Sequence, residues 1–276
     1  MYYDKISRSS AICRISAAER QIPMAVMDEF KEEREALKNG TPKQKIAYFW
    51  YYYKWHVIIS VIVIAMAASF IYQYANRKET AFYTVLLNAS LLDQMSSDQP
   101  EFITDFAKKE GINLNTSDIT FDTSIRIVED SMDETSVTSS QKLMVYVAAN
   151  ELDSMITDFS SFQKYANSSM FSDLRDILTK EQAQALEPYF YYVDREVVLA
   201  IEAANDDMNS EYTPEYPDPL HPEEMQDPVP VGLCLTDCKD LTDYYYFRGD
   251  GIVMGIYANA GHAQTAVDLA EYLLNK

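Results

Sequence analysis

The stretch YFWYYYKWHVII, residues 48–59, places seven aromatic rings in the eight positions 48–55 and then turns aliphatic. Successive residues of a helix are about 100° apart, so these rings face every direction. They cannot form the one-sided stripe that a core or groove helix requires. Trp and Tyr join a flat apolar body to a polar N–H or O–H and collect in the headgroup layer of a bilayer. Tyr48, Phe49, Trp50, Tyr51, Tyr52, Tyr53 and Trp55 therefore read as a membrane-interface collar, with Tyr72 and Tyr74 as a thinner belt at the far end. A stacking platform for a sugar or a base is the competing reading, and such platforms gather their rings on one face.

Between the two belts, residues 57–75 (VIISVIVIAMAASFIYQYA) carry no charge. As a helix rising about 1.5 Å per residue this run covers about 28 Å, the thickness of the hydrocarbon layer. The expected transmembrane helix is 55–76. Lys43, Lys45 and Lys54 lie without an acid between residues 41 and 54, whereas Arg77 and Lys78 are followed by Glu79. That bias favours a cytoplasmic N-terminus and an exported C-terminal part. The run is too long and too far from the N-terminus for an ordinary cleaved signal, so it reads as a signal anchor of a single-pass protein in the cell membrane. Residues 27–54 form the expected cytoplasmic segment, a polar helix pattern stopped by Asn39-Gly40 and Pro42 and followed by the collar. Residues 1–26 have no comparable design and read as a disordered or mis-assigned start, with translation expected from Met24 or Met27.

The formal charge of −20 divides at the apolar run. Residues 1–54 hold ten Lys/Arg against seven Asp/Glu, and residues 77–276 hold thirteen against thirty-six. An exported part with a charge of −23 repels phosphate backbones, which argues against nucleic acid as a partner. With three cysteines in 276 residues the fold must rest on a packed core rather than a disulfide framework.

Residues 77–276 alternate apolar runs with helical patterns. Strands are expected at 82–88, 119–128, 152–157, 196–203, 229–235 and 251–258, and helices at 100–110, 138–150, 160–166, 180–186 and 262–275. This alternation predicts an extracytoplasmic α/β domain with a mixed, largely parallel sheet. The stretch 205–228, NDDMNSEYTPEYPDPLHPEEMQDP, has five prolines and eight acids and no Lys or Arg. It reads as a solvated surface loop. A calcium loop would space its oxygens regularly about a tight glycine turn, which this one does not.

No nucleophile elbow, Walker loop, H-E-x-x-H or dinucleotide fingerprint occurs, so no catalytic residue, metal or cofactor is expected. His262 reads as part of a helix start, and Asp153 and Asp158, which bracket one strand, read as turn caps rather than an acid/base pair. Cys234 and Cys238 are a candidate disulfide outside the membrane. Three intervening residues make a tight loop for a bridge, so two free thiols and a metal pair stay open.

Residues 148–178 (AANELDSMITDFSSFQKYANSSMFSDLRDIL) and 251–275 (GIVMGIYANAGHAQTAVDLAEYLLN) resemble segments of extracellular solute-binding proteins of the class II periplasmic-binding type. The entry KQKIAYFWYYYKWHVI, residues 43–58, is similar to that of single-pass membrane proteins of Gram-positive bacteria that carry such a domain outside. About 200 residues leave little room for the two lobes usual in those binders, and a helix replaces their lipid-modified Cys. The resemblance implies a non-enzymatic protein with a reduced periplasmic-binding-like fold that binds a small polar solute or a cell-envelope protein. It places the ligand outside the carboxyl ends of the strands, near Asn88, Ser90, Asp158 and Asn259. A structural or assembly module without a ligand cleft is the alternative, and a cell-envelope hydrolase a third reading.

Overall fold

A computed structural model describes residues 41–92, 100–128, 133–206 and 212–275. The expected start site and polar helix of residues 1–40, and residues 207–211 of the acidic loop, lie outside the described residues, as do the side chains of Tyr48 and Tyr52. The chain divides into two units, Met1–Asn76 and Arg77–Lys276.

Among its described residues the first unit contains a long helix, α1 (Pro42–Ala75), whose part Tyr53–Ala75 is long and apolar enough to cross a membrane. None of that part is buried by protein. The rings of Phe49, Trp50, Tyr51 and Trp55 are more than half exposed, as are those of Tyr72 and Tyr74. Phe49 and Tyr53, one turn apart, stack with centroids 5.2 Å apart.

The second unit is a mixed α/β domain. In chain order it holds β1 (Glu79–Leu86), β2 (Ala89–Leu91), α2 (Glu101–Lys109), β3 (Ser117–Asp122), α3 (Glu134–Ala148), β4 (Ser154–Thr157), α4 (Phe159–Ala166), α5 (Leu174–Ile177) and α6 (Lys180–Leu186). It continues with β5 (Phe190–Asp194), α7 (Arg195–Asp206), β6 (Pro228–Cys234), α8 (Lys239–Thr242), β7 (Tyr245–Phe247), β8 (Val253–Ile256) and α9 (Ala263–Leu273). Six strands form one sheet in the order β3-β1-β4-β8-β6-β5, and β2 pairs with β7 in a separate antiparallel ribbon. β1 runs parallel to both β3 and β4, while β8, β6 and β5 join antiparallel, so four of the six strands point the same way.

Each face of the sheet is covered, as strands apolar on both faces require. One core gathers Phe82 and Leu86 with Phe102 and Phe106 of α2 and Leu269, Ala270 and Leu273 of α9. The other gathers Val85 and Met155 with Leu143 of α3, Phe162 of α4 and Val198 of α7. At the second core, Gly232 and Gly255 sit opposite each other on β6 and β8. A Cβ at either would come within 2.8 Å of the Phe162 ring, so the paired glycines make the recess that seats it. Phe162 stacks on Phe171 at 4.7 Å and meets Tyr191 edge-on at 4.9 Å.

Most expected elements are found, with three differences. Residues 196–203, read as a strand from their β-branched content, belong to helix α7; the neighbouring strand is β5, which ends at Asp194 immediately before the helix. Asp194 at the junction accepts hydrogen bonds from the N–H groups of Glu196, Gln226 and Asp227, which starts the helix and ties down the acidic loop together. The strand expected at 119–128 stops at Asp122, after which the chain is held by side chains rather than by a ladder. The acidic stretch, read as a plain surface excursion, also covers a sheet edge, since Tyr192 of β5 donates its N–H to the Pro219 carbonyl at 2.9 Å.

Candidate functional site

The chain leaves β1, crosses through α2 to β3 on one side, then crosses through α3 to β4 on the other side of β1. Strand order therefore reverses between β1 and β4, and the carboxyl ends of two such strands leave a crevice where ligands of open α/β sheets collect. Asn88 follows β1 and Asp158 follows β4.

At that crevice is a cleft of about 590 Å³, within the usual range for small-molecule sites. Asn88, Ser90 and Asp158 all line it, together with Arg126, Ile127, Ser160, Ser161, Tyr246 and Arg248. The antiparallel β2–β7 ribbon forms one wall. Its register sets Ala89 against Phe247 and Ser90 against Tyr246, which brings Arg248 and Gly249 beside Asn88. Gly249 passes so close to Asp158 that a Cβ would lie 2.7 Å from the carboxyl carbon. Only glycine fits there without displacing the cap.

Much of the polar lining holds the frame. Asp158 is buried and accepts from the Ser161 N–H at 2.9 Å, the Ser160 hydroxyl at 2.7 Å and the Ser161 hydroxyl at 3.0 Å, capping α4. Asn88 has φ of +60°, in the left-handed region that Asn tolerates better than most residues. Its side-chain carbonyl accepts from the Ile127 N–H at 2.8 Å, and its amide donates to Ser161 Oγ at 3.1 Å. The neighbouring backbone is held the same way, with Arg126 N–H donating to Ser139 Oγ and Val128 N–H to Ser136 Oγ. Three successive backbone donors after β3 thus end on side chains from two other elements. The Arg126 side chain donates from Nη2 to Ser90 Oγ at 2.9 Å.

Asn259 is not in this cleft. The expectation treated the last strand as ending beside the others, but β8 runs antiparallel to β4, pairing Thr157 with Val253 and Ser154 with Ile256. Its carboxyl end is therefore at the opposite edge of the sheet, where Asn259 lines a separate hollow of about 190 Å³ with Asn150 and Tyr257. The residues entering the cleft from β8 come before the strand, at Gly249. Arg126 and Arg248 were not singled out from the sequence, because Arg126 fell inside the strand expected at 119–128 and Arg248 follows the short β7, for which no strand was expected.

The candidate bridge between Cys234 and Cys238 is not formed, and both are free thiols. Cys234 packs against the core that holds Phe162, whereas Cys238 belongs to the core on the other face with Leu235 and Leu241. Burial pushes the Cys234 thiol up to about 12. His262 donates its backbone N–H to Asp153 at 2.8 Å and sets its ring Nδ1 3.2 Å from the same carboxylate. Asp153 also accepts from the Tyr83 N–H, so it joins β1, β4 and the start of α9. Asp153 and Asp158 stand at opposite ends of β4 and cannot act on one substrate atom. Among the described residues no three His, Cys, Asp or Glu side chains group as metal ligands.

Comparison of the chain with protein-family models, curated proteins and solved structures gives no match, so its functional reading rests on this geometry.

Proposed function

We propose that the chain is a single-pass membrane protein whose extracytoplasmic α/β domain, of reduced periplasmic-binding type, binds a small polar solute at the cleft beyond β1 and β4. α1 is the anchor, with its N-terminus cytoplasmic. The domain works by recognition and not by catalysis, consistent with polar residues that are engaged in capping and bracing. The observation that carries the reading is the convergence of Asn88, Ser90 and Asp158 with two arginines at the reversal of strand order. Independent support comes from the length and apolar composition of Tyr53–Ala75, bounded by rings that no protein surface covers.

Scanning calorimetry of the full chain in lipid nanodiscs, screened against sugars, amino acids and short peptides, tests the proposal. A ligand selective for the folded state raises the melting temperature of the domain in proportion to the logarithm of its concentration over Kd. A melting temperature unmoved by every compound, together with co-purification of a membrane protein, would overturn it. A second reading, an assembly module that docks another cell-envelope protein, is favoured by Leu91, Leu92 and Tyr246, all exposed on or beside the β2–β7 ribbon.

A further inference from the structure

We infer that the solute taken by this cleft is an oxyanion, a carboxylate or a phosphate, held by the guanidinium groups of Arg126 and Arg248; this rests on the solute-binding reading above. Beyond residue 76 the chain holds five arginines. Arg175 and Arg195 neutralise aspartates, Asp173 being 2.6 Å from Arg175 and Arg195 lying 3.6 Å from both Asp173 and Asp227. Arg77 stands at the junction with the first unit. The remaining two both line the one cleft, and among the described residues neither is paired with a carboxylate. In a domain of charge −23, two arginines lining one cleft without a carboxylate partner among the described residues are the exception.

Among the described residues, the acids near the cleft form no ion pair with them. Asp158 is buried, accepts three hydrogen bonds and faces the positive end of α4, so its charge is already balanced within the protein. Asp133 is engaged in the same way by the N–H and hydroxyl of Ser136. Asp250, next along from Gly249, lines the adjoining hollow with Gly251 and Ile252.

What the cleft offers a ligand is therefore mainly donors. Each guanidinium has five N–H groups in a planar fork suited to two oxygens of one carboxylate or phosphate. Among the described residues, one of Arg126's five N–H donors is engaged, from Nη2 to Ser90 Oγ, whose own proton can still be donated. The backbone beneath Arg126 is clamped by Asn88, Ser136 and Ser139, so little ordering remains to be done on binding. Among the described lining residues, a cationic solute would meet two arginines and one acid, Asp158, which is buried and already hydrogen-bonded.

Calorimetric titration of the full chain in phosphatidylcholine nanodiscs, with succinate, inorganic phosphate, glucose and glycine as probes, tests the inference. Succinate or phosphate should bind, more weakly at higher salt, and Arg126→Gln and Arg248→Gln should each raise Kd about tenfold or more, as expected for one lost charge-assisted contact. Both side chains are exposed, so the variants should fold, which circular dichroism verifies. Weaker binding of the same probe in discs containing phosphatidylglycerol would identify a lipid headgroup as the competing oxyanion and still support the inference. Binding of glucose or glycine without succinate or phosphate overturns the inference and leaves the solute-binding reading standing. Equal affinity in wild type and both variants also overturns it. Binding of no probe in either disc also overturns the inference.

Discussion

Replacing Asn88 by Gly and by Ala separates the two things this residue does. Its amide links the backbone after β3 to the start of α4 through two hydrogen bonds, to Ile127 N–H and Ser161 Oγ. Its backbone sits at φ +60°, where a Cβ is crowded. Either substitution removes both hydrogen bonds, a loss of about 0.5–1.5 kcal/mol each and about 1–3 kcal/mol together. Ala adds the left-handed penalty of about 1–2 kcal/mol, to about 2–5 kcal/mol in all. Gly avoids that penalty but has a more flexible unfolded chain, so its net advantage over Ala is about 0.5–1 kcal/mol. Urea unfolding of the full chain in detergent, followed by the near-ultraviolet circular dichroism of its tyrosines, measures both. With a slope of about 2 kcal/mol per molar urea, the Ala midpoint should fall by roughly 1–2.5 M and the Gly midpoint by less. A Gly variant as stable as wild type would refute the bracing role, and a Gly variant less stable than the Ala variant would refute the backbone argument.

The Phe162 seat should be the costliest single truncation in the second core. Phe162→Ala removes a fully buried ring and its contacts with Phe171 and Tyr191, for about 3–5 kcal/mol in the same urea assay. Burial would raise the Asp194 carboxyl, but three backbone N–H donors outweigh it and hold the group below the usual carboxylate range. With the folded value depressed, its stabilisation is complete above the unfolded carboxylate value near 4 and is lost as pH falls through the folded value. Asp194→Asn should thus be less stable at pH 7 and show a shallower loss of stability between about pH 5 and pH 2, measured by acid titration of the unfolding midpoint. Half-buried and with its thiol pushed up to about 12 by desolvation, Cys234 should resist iodoacetamide at pH 8 in the folded chain and react on denaturation, with mass spectrometry counting the labelled sites.

What was legible in the sequence was whatever depends on neighbours along the chain. The turn from rings to aliphatics at Trp55 and His56 needs only the period of a helix and the length of a bilayer to be read. The helices at 101–109 and 180–186 match their expected bounds closely, whereas 134–148 begins four residues before the expected 138, behind its Asp133 cap. Asn88 and Asp158 were findable because a polar residue directly after an apolar strand sits at its carboxyl end. Residues 196–203 failed the same test, since Val197, Val198 and Ile201 suit a strand as well as a buried helix face. The choice was made by β5, which already fills the sheet edge, and by Asp194, which starts the helix.

By itself the sequence determined the division at residue 76, the apolar helix and the α/β character of the rest, because these follow from local periodicity, length and charge. Only the tertiary structure decided the direction of β8, which takes Asn259 away from the cleft, and the three-residue pairing of β2 with β7, which brings Arg248 in. Strand direction and short ribbons are settled by hydrogen bonds between segments far apart in the chain, and such partners leave no trace in the residues on either side.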